Sequence, residues 1–145
     1  MAKPKVLFLC TANSARSQMA EAFLRKYAGD RFDAYSAGLE ATDIHPYARK
    51  VMAEIGIDMA GQRAKGVSEF LGKMNPAYVI IVCEKVRQRC PTAFPATGAT
   101  MIAWPIGDPA EAEGSEEDRL NKFRQARDQL DARIREWLGR GDERE

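Results

Sequence analysis

A chain of 145 residues with 45% apolar and 30% charged side chains has the size and balance of one folded domain, and a single domain spanning residues 1–145 is expected. Its 22 basic residues against 21 acidic ones, net +1, build no extended field of either sign, which argues against nucleic acid or an anionic membrane as a partner. The apolar run Val6 to Leu9 is too short for a signal peptide or a membrane span, so a cytoplasmic protein is expected.

The elements alternate. Lys5 to Leu9 is an apolar strand candidate, and Ala15 to Ala28 carries Met19, Ala20, Phe23, Leu24 and Tyr27 on one helical stripe. A second strand is expected over Phe32 to Ser36, ended by Ala37-Gly38. Pro46 then opens a helix with Ala48, Val51, Met52 and Ile55 at helical spacing, running up to Gly56. Val67 to Met74 reads as a short helix. Ala77 to Val82 is apolar throughout and reads as a strand covered on both faces, the mark of a parallel sheet. Thr100 to Trp104 is a weaker strand, followed by the loop Pro105 to Pro109. Ser115 and Asp118 make a capping-box-like start to a last helix, with Leu120, Phe123, Leu130, Ile134, Trp137 and Leu138 on its stripe and Gly139 as its expected stop.

Four strands alternating with helices through right-handed crossovers predict a small doubly wound α/β fold: a four-stranded parallel sheet with helices on both faces. Ligands of such folds bind beyond the carboxyl ends of the strands. Cys10, Cys83 and Asp108 all follow expected strands there.

Cys10-Thr11-Ala12-Asn13-Ser14-Ala15-Arg16-Ser17 lies between the first strand and the first helix. A tight loop in that place turns backbone N–H groups inward, the helix N-terminus adds its positive end, and Arg16 offers a two-pronged guanidinium to tetrahedral oxygens. The same field favours the thiolate of Cys10, and the Ser17 hydroxyl is within reach to hydrogen-bond it. The plainer alternative is a buried Cys10 ending a strand beside a surface Arg16. The other two cysteines, Cys83 and Cys90, stand open between packing, metal binding and redox chemistry in a reducing compartment. Zinc is disfavoured, since His45 is the one histidine and the cysteine spacing matches no ligand pattern. His45 reads as a loop residue before Pro46.

The segment from Val6 through Cys10 and Arg16 to Glu21, with Tyr35-Ser36-Ala37-Gly38, the Cys83/Cys90 pair and Trp104 to Pro109, resembles the low-molecular-weight tyrosine phosphatase fold and, within it, the thioredoxin-linked arsenate reductases. The resemblance covers nearly the whole chain; it departs at Ala15, where many relatives carry another cysteine. No cofactor or metal is expected here, and the resemblance implies an enzyme in which the loop amides of residues 11–17 and Arg16 hold arsenate, the Cys10 thiolate attacks it and Asp108 protonates the departing oxygen. Cys83 and then Cys90 remove the electrons by thiol exchange, through a Cys10/Cys83 and then a Cys83/Cys90 disulfide, and the polar segment Glu84 to Arg89 moves to present the latter to thioredoxin.

A phosphatase hydrolysing phosphate monoesters through a Cys10 phosphoenzyme is the alternative, because thiolate, trap and acid serve both reactions. Against it, Asp108-Pro109 is followed by Ala110-Glu111 where phosphatase relatives carry two tyrosines, and Leu39 to His45 holds no aromatic wall. Some arsenate reductases of the family hold a potassium ion on side chains matching Asn13, Glu21 and Ser36 together with an aspartate. Alignment from Ser36 puts Lys65 in the aspartate's place, so Lys65 is expected to pair with Glu21 as a built-in cation that holds Asn13 and the loop in shape, with Ser17 as a further loop-stabilising residue; the plainer alternative is a solvated loop lysine.

Overall fold

The computed structural model describes residues 3–10, 15–38, 43–59, 61–70, 75–82 and 99–144, with 140–144 as backbone alone. Strands β1 (Lys5–Cys10), β2 (Asp33–Gly38), β3 (Tyr78–Ile81) and β4 (Thr100–Ala103) form one all-parallel sheet in the order β2-β1-β3-β4. Val6, Leu7, Phe8 and Leu9 are all wholly buried. Successive strand residues face opposite ways, so an unbroken buried run requires cover on both faces of β1.

Helices α1 (Arg16–Ala28) and α3 (Glu116–Arg144) pack against each other, and α2 (Pro46–Ala53) also meets α3. On the face of Val6 and Tyr78, Trp137 of α3 sets its ring 5.1 Å from Tyr78 and 5.3 Å from Phe32. On the opposite face, Tyr35 stands beside Leu7 and takes Phe70 edge-on at 5.8 Å. Phe8, Phe23 and Phe123 are fully buried in this core. Truncating any one to alanine should cost about 3–5 kcal/mol, a large share of the roughly 5–15 kcal/mol that holds a domain folded. The strand order reverses between β1 and β3, which places the carboxyl end of β1, Cys10, at the switch point where doubly wound sheets bind ligands.

Several element boundaries depart from the sequence reading, each for a local reason. β2 runs on through Ala37 and Gly38 because Gly38 pairs with Cys10 and its N–H donates to the Lys65 carbonyl at 2.9 Å. Helix α2 ends at Ala53, and Gly56 at φ +80° turns the chain out; Ile55, expected on the buried stripe, is therefore 38% exposed. Over Val67 to Met74 the described part is a 3₁₀ turn, Val67–Glu69, and residues 71–74 lie outside the described residues. Gly139 does not stop α3, which continues to Arg144. A glycine ends a helix when it takes the left-handed conformation, and among the described glycines only Gly56 and Gly114 have positive φ. The start of α3 agrees with its reading: Asp118 N–H donates to Ser115 Oγ at 3.1 Å, and Ser115 N–H to Asp118 Oδ2 at 3.3 Å.

Candidate active site at the end of the first strand

Cys10 is the last residue of β1 and is 2% exposed. Its Sγ lies 2.9 Å from Ser17 Oγ, itself wholly buried on the first turn of α1, so the hydroxyl is in place to donate to a thiolate. Helix α1 starts without a capping side chain, since Ala15 occupies the N-cap position, and no acidic residue stands in its first turn. The positive end of the helix is thus not capped by the side chain of its own N-cap residue and faces no carboxylate within that turn. Residues Thr11, Ala12, Asn13 and Ser14 of the loop lie outside the described residues, as do Cys83 and Cys90.

Arg16, 7% exposed, opens α1. Its Nη1 donates to the carbonyl of Ile106 at 2.9 Å, and its Nη2 stands 3.6 Å from Asp108 Oδ2. Two segments ninety residues apart in the chain therefore meet at the first residue of α1. Asp108 also caps a 3₁₀ turn, Pro109–Glu111, by accepting from Ala110 N–H on Oδ1 at 2.9 Å. Its two oxygens are so divided: one holds the turn, the other faces Arg16. Val82, the residue before Cys83, donates its N–H to the carbonyl of Leu9, so β3 ends alongside β1.

On the next turn of α1, Glu21 is 3% exposed and accepts from Ser36 Oγ at 2.6 Å and from Arg25 Nη2 at 2.8 Å. Lys65 Nζ lies 3.7 Å from the Glu21 carboxylate and donates to the Arg63 carbonyl at 2.7 Å. Burial lowers the pKa of Lys65, and the charge of Glu21 opposes that shift. Glu21, Ser36 and Lys65, grouped in the sequence through the family resemblance, thus form one buried cluster.

Two features were not visible in the sequence. The Ile106 carbonyl partners Arg16, and a backbone acceptor leaves no mark in a residue pattern. Gln18, wholly buried, bonds the 62–63 segment across forty-odd positions; a glutamine on a helix reads as a solvated residue until its neighbours are known. His45, taken as a loop residue, is the N-cap of α2: its Nδ1 accepts from Tyr47 N–H at 3.0 Å, immediately before Pro46 at the first helical position.

The family model for low molecular weight phosphotyrosine protein phosphatases matches residues 5–144. An arsenate reductase of Halalkalibacterium halodurans is 40% identical over 142 residues, covering 97% of this chain and 99% of its own. A solved arsenate reductase in a phosphate-binding state superposes with a TM-score of 0.80 at 30% identity, covering 94% of this chain and 98% of the other. A thioredoxin-dependent arsenate reductase of Corynebacterium glutamicum superposes at 0.71 with 29% identity, over 99% of this chain and 64% of that longer one. The chain belongs to the low molecular weight phosphotyrosine protein phosphatase family and, within it, to the group of the arsenate reductases.

Proposed function

We propose that this protein reduces arsenate to arsenite at Cys10 and is regenerated by thioredoxin. The observation that carries the reading is the convergence of the Cys10 thiol, the Ser17 hydroxyl, the start of α1, the Arg16 guanidinium and the Asp108 carboxyl beyond the carboxyl end of β1. The names of the relatives support the choice of arsenate as the oxyanion.

In this mechanism arsenate is held by the N–H groups of the loop from Thr11 through Ala12, Asn13, Ser14 and Ala15 to Ser17, and by Arg16. The Cys10 thiolate attacks arsenic, Asp108 supplies the proton, and water leaves a Cys10–arsenic(V) adduct. Cys83 then attacks Cys10 Sγ; the S–As bond breaks with its electron pair going to arsenic, arsenite departs, and a Cys10/Cys83 disulfide remains. Cys90 attacks Cys83, returns Cys10 as a thiolate and forms a Cys83/Cys90 disulfide, which a thioredoxin dithiol reduces. Such a cycle belongs in a reducing compartment, and we place it in the cytoplasm; among the described residues no helix is long and apolar enough to cross a membrane. Lys65, its Nζ 3.7 Å from the Glu21 carboxylate that also accepts from Ser36, serves as a fixed cation that braces Asn13 and the loop.

The test is an arsenite-release assay with thioredoxin, thioredoxin reductase and NADPH, run beside a phosphate-ester assay. Cys83→Ser and Cys90→Ser should each stop coupled turnover and leave any slow ester hydrolysis in place, since hydrolysis needs only Cys10, Arg16 and Asp108. Ester hydrolysis without arsenite release in the wild type would instead establish a phosphatase.

A further inference from the structure

We propose that Gln18, on the first turn of α1, is a positioning residue that fixes the Lys65 ammonium through the carbonyl of Arg63. The inference rests on the reading of Lys65 as a built-in cation. Gln18 is wholly buried, and a buried amide is retained only where its groups are bonded. Its Nε2 donates to the Arg63 carbonyl at 2.8 Å, and the same carbonyl accepts from Lys65 Nζ at 2.7 Å. A carbonyl oxygen has two lone pairs, so it can take both donors at once. Lys65 is a long, flexible side chain whose ammonium carries no preferred direction. The carbonyl gives it one fixed contact on the way to Glu21, and Gln18 fixes the carbonyl.

The orientation of the Gln18 amide is itself set. Gln62 Nε2 donates to Gln18 Oε1 at 2.7 Å and to the Gln18 carbonyl at 3.0 Å, which leaves the NH₂ end of Gln18 to face Arg63. Gln18 and Glu21 are three residues apart and share one face of α1. The strand-side end of the segment is held too, because the Lys65 carbonyl accepts from Gly38 N–H and Gly66 bridges Gly38. The segment Gln62 to Gly66 is thereby strapped between α1 and β2, with Lys65 Nζ directed at Glu21. Gln18 follows Ser17, the partner of Cys10, so the strap starts one residue from the site.

The test compares Gln18→Met, Lys65→Met and the double variant, with Gln62→Leu as a milder perturbation of the same strap. Two readouts are taken on folded protein: kcat and KM for arsenate, and the pH dependence of iodoacetamide alkylation followed on the Cys10 peptide by mass spectrometry. Gln18→Met is expected to raise KM by roughly tenfold to a hundredfold, to move Cys10 alkylation to higher pH, and to add little once Lys65 is gone. Gln62→Leu should shift both readouts in the same direction by less. Equal effects of Gln18→Met in the presence and absence of Lys65 would overturn the inference, as would wild-type readouts in Gln18→Met where Lys65→Met is impaired; both leave the reading of Lys65 standing. A silent Lys65→Met would remove that reading and the inference with it. Should Gln18→Met fail to fold, Gln62→Leu with and without Lys65→Met decides by the same comparison.

Discussion

Arg16 Nη2 stands 3.6 Å from Asp108 Oδ2, which ties the first residue of α1 to the loop after β4. The contact separates two roles of Asp108. Asn in its place still accepts from Ala110 N–H, and so still caps the Pro109–Glu111 turn, but its amide is no acid and transfers no proton. Asp108→Asn should therefore fold as wild type and lose kcat by roughly 10²–10⁴-fold, the usual contribution of a general acid, with KM for arsenate changed far less. Steady-state kinetics checks this, and a kcat near the wild-type value would remove Asp108 from the chemistry.

Cys10 is almost wholly buried, and its Sγ partner is the hydroxyl of Ser17. Serine fits that space and keeps a hydrogen bond to Ser17, so Cys10→Ser should unfold within a few degrees of wild type, about the shift expected from under 1 kcal/mol. Arsenite release should be absent. Turnover surviving in a well-folded Cys10→Ser protein would refute the nucleophile.

Lys65 and Glu21 are among the most buried charged groups described, at 9% and 3% exposure. A structure with its own cation there has little to gain from an added one. Arsenate reduction should proceed at equal rates in potassium and in sodium salts of matched ionic strength, and Lys65→Ala should lose activity in both. Marked potassium activation of the wild type would contradict a built-in cation.

The sequence revealed most where one side chain or one period decides the outcome. A short, unbroken apolar run such as Val6 to Leu9 fits a strand covered on both faces, and the Ser115–Asp118 spacing fits the capping box that the structure shows. The places of Cys10 and Arg16 were legible because a strand and a helix signal flank them, and they do end β1 and open α1. Boundaries were less legible, because tertiary partners set them: Gly38 stays in β2 on account of Lys65, and Gly139 stays in α3 where nothing turns its backbone left-handed. The Gln18–Arg63 bond was illegible altogether, since it joins an amide to a distant carbonyl.

His45 links stability to pH through a bond that its protonated form cannot make. Nδ1 caps α2 by accepting from Tyr47 N–H at 3.0 Å, while the ring packs 4.6 Å from that of Phe123. Burial lowers the pKa of His45 from its ordinary 6.5, and the positive charge of Arg119 lowers it further against the opposing pull of Asp108. In the unfolded chain the imidazole regains its ordinary pKa, so on acidification the unfolded state takes up the proton first. The stabilisation is thus complete above about pH 6.5 and is lost as pH falls from there through the lower folded pKa. A cap of this kind is worth about 1 kcal/mol. His45→Asn supplies a capping side chain that does not titrate in this range. In urea unfolding at about pH 8 and about pH 5, the wild type should lose more stability between the two than His45→Asn does. Parallel losses in the two proteins would show that the His45 cap is not what acid weakens.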